Sequence, residues 1–96
     1  MPTPKEGMSA FVKWIAQNYS FPQSAIDDNV AGLIQVKFVV EKDGSLSSFE
    51  VVRDMGYGTG KVAIELLQKA KKWNPGVQNG IPVRVTFSLP IRLSTQ

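Results

Sequence analysis

Ile81-Pro82-Val83-Arg84-Val85-Thr86-Phe87-Ser88-Leu89-Pro90-Ile91-Arg92-Leu93 alternates apolar and polar side chains almost without error. Val83, Val85, Phe87, Leu89 and Ile91 fall on one face; Arg84, Thr86, Ser88 and Arg92 fall on the other. A period of two is the signature of a strand with one buried face. Pro82 and Pro90 have no backbone N–H to give a ladder, which confines them to an edge, a strand start or a bulge. The stretch therefore predicts an edge strand. Backbone groups alternate sideways along a strand, and the two prolines share parity, so both missing donors fall on one side. Even-numbered residues are expected to face the open edge and odd-numbered ones to pair inward. Arg84, Thr86 and Ser88 would then offer free N–H and C=O groups to an incoming strand, the geometry of strand addition. An edge merely protected by its prolines fits the same residues equally well.

Working back from this strand, Asn79-Gly80 is a tight-turn signal that leads into it. Val62, Ala63, Leu66, Leu67, Ala70 and Trp73 read as one helical stripe, with Asn74-Pro75-Gly76 as its terminator. Lys69, Lys71 and Lys72 would sit at the end of that helix, where its dipole favours positive charge. Asp54 to Gly60, with glycines at 56, 58 and 60, reads as a connecting loop. Further back, Ile34, Val36, Phe38 and Val40 alternate along a strand that starts at Gly32, and Leu46 to Arg53 is its return. Asp43-Gly44 between them makes a hairpin. Met8, Phe11, Val12, Ile15 and Tyr19 repeat at helical spacing and predict a helix over 9–19, with Ser9 as N-cap. Ser20-Phe21-Pro22 stops it. Pro22 then opens a short turn around Ala25 and Ile26, capped by Ser20. The order α-β-β-α-β predicts an α+β fold, a small two-layer sandwich. Its three-stranded antiparallel sheet carries the helices on one face.

Composition narrows the chemistry. Ninety-six residues build one domain, not two. There is no cysteine and no histidine, so thiol chemistry is excluded and the commonest general base and metal ligand are missing. No apolar run approaches the length of a membrane helix, and no signal peptide is visible. Pro2-Thr3-Pro4-Lys5 reads as the end of a proline-rich spacer, so residues 1–7 are expected outside the domain, 8–93 within it, and 94–96 as a tail. The net charge of +3 suits an anionic partner only weakly.

Other candidate sites weigh less. Gly56-Tyr57-Gly58-Thr59-Gly60 precedes a helix, but its spacing is not that of a dinucleotide or phosphate loop, so it reads as a flexible connector. Asp27, Asp28, Glu41, Asp43, Glu50 and Asp54 are scattered over turns and polar faces and read as solvated charge. Trp14 and Trp73 could stack on a ligand, but each lies near an apolar stripe and reads as core. Lys69-Ala70-Lys71-Lys72 could touch phosphates, yet no aromatic ladder accompanies it, which disfavours nucleic acid.

Taken together, the residues resemble the C-terminal domain of TonB-family energy transducers, in the form found in Bacteroidetes-type sequences. Phe11-Val12-Lys13-Trp14-Ile15-Ala16-Gln17-Asn18 resembles that group's N-terminal helix. Phe21-Pro22 with Ala25 resembles the family's Tyr-Pro-x-x-Ala, and Gly32 to Val40 its G-x-V-x-V-x-F-x-V strand. Asp43-Gly44 sits at the family's turn. Ala63, then Trp73 and Pro75, match its helix and W-x-P, and Gly80 to Val83 its lead into the last strand. Two departures stand out: Phe21 replaces the usual tyrosine, and the loop Gly56–Lys61 lacks the acidic residues common there.

The resemblance implies a non-catalytic periplasmic module without cofactor or metal. Such modules hang from an inner-membrane helix and are driven by an ExbB/ExbD-like motor. They capture the TonB box of outer-membrane transporters as a strand added to the last strand, here Val83, Arg84, Val85, Thr86, Phe87, Ser88, Leu89, Pro90 and Ile91. Asn18 and Phe21 correspond to a region beside the box. The same domain used in a sensor or other envelope protein is the alternative, and a small nucleic-acid-binding α+β domain a further one. An open edge can also pair with a second copy of the chain.

Overall fold

The computed structural model describes residues 2–95. Its elements in chain order are β1 (Thr3–Pro4), α1 (Met8–Asn18), α2 (Gln23–Asp27), β2 (Ala31–Val40), β3 (Leu46–Arg53), α3 (Thr59–Leu67), β4 (Trp73–Asn74), β5 (Gly76–Gln78), β6 (Ile81–Val83) and β7 (Val85–Ser94). Strands β3, β2 and β7 form a three-stranded antiparallel sheet in that order. The helices pack against it, which is the expected α+β sandwich. Among the described residues no helix is long and apolar enough to cross a membrane.

The central strand follows from its alternation. Ile34, Val36, Phe38 and Val40 are buried on one face of β2. They meet Leu89 and Ile91 of β7, Phe11 and Ile15 of α1, and Ala63 and Leu67 of α3 in one core. Trp73 sits at its centre, with the rings of Phe11, Phe38 and Phe87 edge-on around it at 5.1–5.3 Å. Edge-to-face packing of this kind adds to the area each ring buries.

The two flanks of β2 differ. With β7 it keeps a regular register from Ala31↔Ser94 to Val40↔Val85. Against β3 the register shifts twice, between Gln35 and Val36 and between Lys37 and Val39. Ser48, at φ 53°, lies in the second shift, an extra residue that twists this edge. The β2–β3 turn is set locally: Asp43 Oδ1 accepts from Ser45 N at 3.0 Å and Ser45 Oγ at 2.7 Å.

Several local expectations need correction. The N-cap of α1 is Gly7, not Ser9, and no side chain caps it. Pro22, not Ser20, stands at the N-cap of α2, its fixed φ suiting the entry. The helical stripe does not run to Trp73: α3 ends at Leu67, so Lys69, Lys71 and Lys72 lie beyond its last turn. Asn74 precedes Pro75, which disfavours helix there. Trp73 instead enters a short strand whose N–H donates to Gly44 O at 2.8 Å. Asn79-Gly80 does not open the last strand directly. Both have φ above 50° and close a hairpin between β5 and β6. Thr3 and Pro4, expected in a spacer, pair with Asn74 and Trp73. Met1 and Gln96, the outer ends of the two flanking segments, lie outside the described residues.

Candidate functional site

The last strand lies at an edge of the sheet, with β2 on one side and no neighbour on the other among the described residues. Its pleat is as its sequence dictates. Leu89 and Ile91 are buried, Val85, Phe87 and Leu93 are half-buried, and Thr86, Ser88, Pro90 and Arg92 are exposed.

Which way its backbone points can be read from two places. Just beyond the strand, Thr95 N donates to Val30 O at 3.1 Å. Residues 95 and 30 continue the register of Ser94↔Ala31, so odd-numbered residues of β7 point at β2 and even-numbered ones point away. At the other end, the two-residue turn Asn79-Gly80 makes Gln78↔Ile81 the hydrogen-bonded pair of its hairpin. Ile81 and Val83 therefore face β5, and Pro82 faces outward. Both prolines lie on the unpaired side, where their missing N–H leaves no inner ladder bond unmade. On that open side Thr86, Ser88 and Arg92 each present an N–H and a C=O, and Pro90 a C=O alone.

The parity stops being simple at Arg84, which falls in the break between β6 and β7. Its guanidinium donates to both carboxylate oxygens of Glu41, Nε to Oε1 at 2.6 Å and Nη2 to Oε2 at 3.2 Å. Glu41 Oε2 also accepts a short bond from Ser47 Oγ. The hydrogen bond from Arg84 and then that from Ser47 hold the Glu41 carboxyl below its ordinary value, and the hydrogen bond to Glu41 raises Arg84. A bidentate fork of this kind fixes geometry more than it adds stability at an exposed site. Next along the strand, Ser88 Oγ is tied across the sheet by Gln35 Nε2 at 2.8 Å.

Asn18 and Phe21 are not bonded to this strand through their side chains among the described residues. Asn18 Nδ2 donates to Trp14 O in its own helix at 2.8 Å. Phe21 packs edge-on against Tyr19 at 4.8 Å. Tyr19 in turn donates to Thr59 O at 2.6 Å, and Thr59 Oγ1 accepts from Met55 N. Met55 lies against Gly32, opposite Leu93, so Phe21 is tied to the end of the sheet where β2 begins and β7 finishes.

The glycine loop before α3 is built rather than loose. Asp54 Oδ1 accepts from Gly56 N at 2.9 Å, Thr59 Oγ1 donates to Gly56 O at 2.7 Å, and Tyr57 Oη donates to Asp28 Oδ2 at 2.6 Å. Gly56, Tyr57 and Gly58 all have positive φ, and Thr59 is fully buried. Asp28, Glu41, Asp43 and Asp54, read as merely solvated, each hold a turn or a neighbour. Sequence reasoning missed Glu41 and Gln35 at the edge strand. Their partners lie 43 and 53 residues away, and no spacing rule links positions so far apart.

Residues 17–94 match the family described as Gram-negative bacterial TonB protein C-terminal. No curated protein and no solved structure matches the chain.

Proposed function

The chain belongs to the family of Gram-negative bacterial TonB protein C-terminal domains, periplasmic modules of protein interaction rather than catalysis, and on that premise we propose that β7 captures the TonB box of an outer-membrane transporter. The box adds as a strand along Val83 to Ile91, with Asn18 and Phe21 beside its end. The domain proper is taken as residues 8–93, with Thr3 and Pro4 paired onto it through β4 and Ser94 and Thr95 continuing the ladder of β7 with β2. Its upstream part meets an ExbB/ExbD-like motor in the inner membrane, and the captured box transmits the pull.

One observation carries the proposal. The open side of β7 presents the backbone of Thr86, Ser88 and Arg92, and Pro90 falls on that same side, while Pro82 faces away from β5 in the neighbouring hairpin. Main-chain bonds supply affinity in such a complex, and alternate side chains supply specificity. The opposite edge, β3, is bulged at Ser48 and fits an added strand poorly.

The test is a titration of the isotopically labelled domain with a peptide covering the N-terminal box of a TonB-dependent transporter from the same organism. The amide signals of Thr86, Ser88 and Arg92 are expected to move first and furthest. An unchanged spectrum from Val83 to Ile91 would reject strand addition here.

A further inference from the structure

The positive charge of this chain is gathered in one place. Eleven basic and eight acidic side chains give the net charge of +3. A groove between the N-terminal segment, α1 and the turn after α3 is lined by Lys5, Lys69, Lys71 and Lys72 against the single carboxylate Glu6. The rest of the chain therefore balances, seven basic groups against seven acidic. Neither the edge strand nor its proposed partner makes use of this groove.

Its interior is aromatic. Phe11 and Trp73 are buried and Trp14 half-buried, while the lysines around them are exposed. Phe11 stacks on Trp14 at 6.0 Å and meets Trp73 edge-on at 5.1 Å. The indole Nε1–H of Trp73 is buried and has no hydrogen-bond partner among the described residues. The rim already accepts an anion of this chain: Glu6 reaches Lys71 at 3.8 Å, a pair so exposed that a ligand carboxylate could displace it. Lys72 is shared with Asp43 at 3.5 Å, whereas Lys5 and Lys69 have no acidic partner among the described residues.

We infer that this groove is a second peptide-binding site, one that takes an acidic segment and seats a single aromatic or large aliphatic side chain over Phe11, Trp14 and Trp73. Size decides the class of occupant. The cavity is about 220 Å³, below the 300–1,000 Å³ typical of a drug-sized ligand, and suits one large side chain. Shape decides against a membrane: the apolar groups are recessed below the lysines, whereas a lipid surface needs them to protrude. Pro4 pairs with Trp73 in an antiparallel register, so Lys5 comes beside the Lys69–Lys72 segment, and the four lysines together match carboxylates next to the anchor.

The two tryptophans are the only ones in the chain and both line the groove, so their indole N–H signals report on it directly. The probe is the peptide acetyl-Glu-Glu-Phe-Glu-Glu-amide. It is expected to shift both indole signals saturably while the amides of Thr86 and Ser88 stay in place, which separates this site from the edge. Raising the salt should weaken binding. The double substitution Lys5→Glu and Lys69→Glu should weaken it about tenfold or more. Both side chains are exposed, and an unchanged amide spectrum elsewhere checks the fold of the variant. Absence of any indole shift overturns the inference, as does equal binding of the same peptide with alanine at its centre or lysine in place of glutamate. Stronger indole shifts with phosphatidylglycerol vesicles or a thymidine oligonucleotide overturn the assignment to a peptide.

Discussion

Gly44 shows how much a single residue can be asked to do. As the residue after Asp43 it completes a hairpin turn, and its φ of 89° suits glycine. In the folded chain its carbonyl also receives the N–H of Trp73 at 2.8 Å. A Cβ placed there would stand 1.9 Å from Trp73 O. Gly80 makes a natural control: its φ is 79°, but a Cβ there meets nothing within 4 Å. Gly80→Ala is expected to cost the conformational penalty alone, about 1–2 kcal/mol. Gly44→Ala should add the displacement of Trp73 from an aromatic core and exceed its control by at least about 1–2 kcal/mol. Denaturant unfolding of both variants measures the difference, and equal losses would show that Trp73 does not depend on this close approach. Asp43-Gly44 was legible as a turn because turn chemistry is local. Its second duty was not, because Trp73 lies 29 positions further on.

At the scale of the element, β7 turned out close to its sequence reading and α3 did not. Alternation over Val85 to Leu93 translates directly into a pleat, and the edge position agrees with the two prolines. The parity gives a sharp expectation for Thr86→Pro. Residue 86 faces Val39 as a non-hydrogen-bonded pair, so its N–H points outward. The substitution should weaken capture of a transporter peptide far more than it destabilises the fold, as calorimetric titration beside thermal unfolding would read. Parallel losses in both would put the Thr86 N–H on the β2 side instead. In α3 the apolar spacing ran on past the true end. Ala70 and Trp73 keep the helical period, but they are half-buried and buried after the chain has left the helix. Periodicity records which side chains are buried, and two different backbones can bury the same residues.

For the molecule as a whole, the long strands set the shape. The described residues span 49 × 22 × 18 Å with a radius of gyration of 14.0 Å, above the 13 Å or so of a rounder domain this size. Along this body the first helix is tied to the loop before α3 through Tyr19. Partial burial, helped by the charge of Asp54, pushes the Tyr19 hydroxyl up to about 12. The sign follows from linkage. In the unfolded chain tyrosine titrates near 10, so the native state holds this proton more tightly. The stability it contributes is complete below pH 10 and is lost as pH rises towards 12. Tyr19→Phe, which lacks the titrating group, should show a flatter decline in unfolding midpoint between pH 10 and 12 than the parent chain. Identical slopes would show that Tyr19 does not couple the helix layer to alkaline pH.

The sequence by itself determined the fold class, the central hairpin, the buried faces of β2 and β7 and the open side of the edge strand. Each follows from local rules: the period of two, turn residues, and the one donor that proline lacks. The tertiary structure alone decided where Trp73 goes, that Glu41 holds Arg84 and that Gln35 bridges to Ser88. It also decided that four lysines and three aromatic rings from separate segments line one groove. Those residues meet across sequence separations that carry no periodic signal, and only packing the helices onto the sheet brings them together. The edge strand was legible because its backbone pattern is written in consecutive residues; the groove was not, because its charge and its rings come from two segments, 5–14 and 69–73, far apart in the chain.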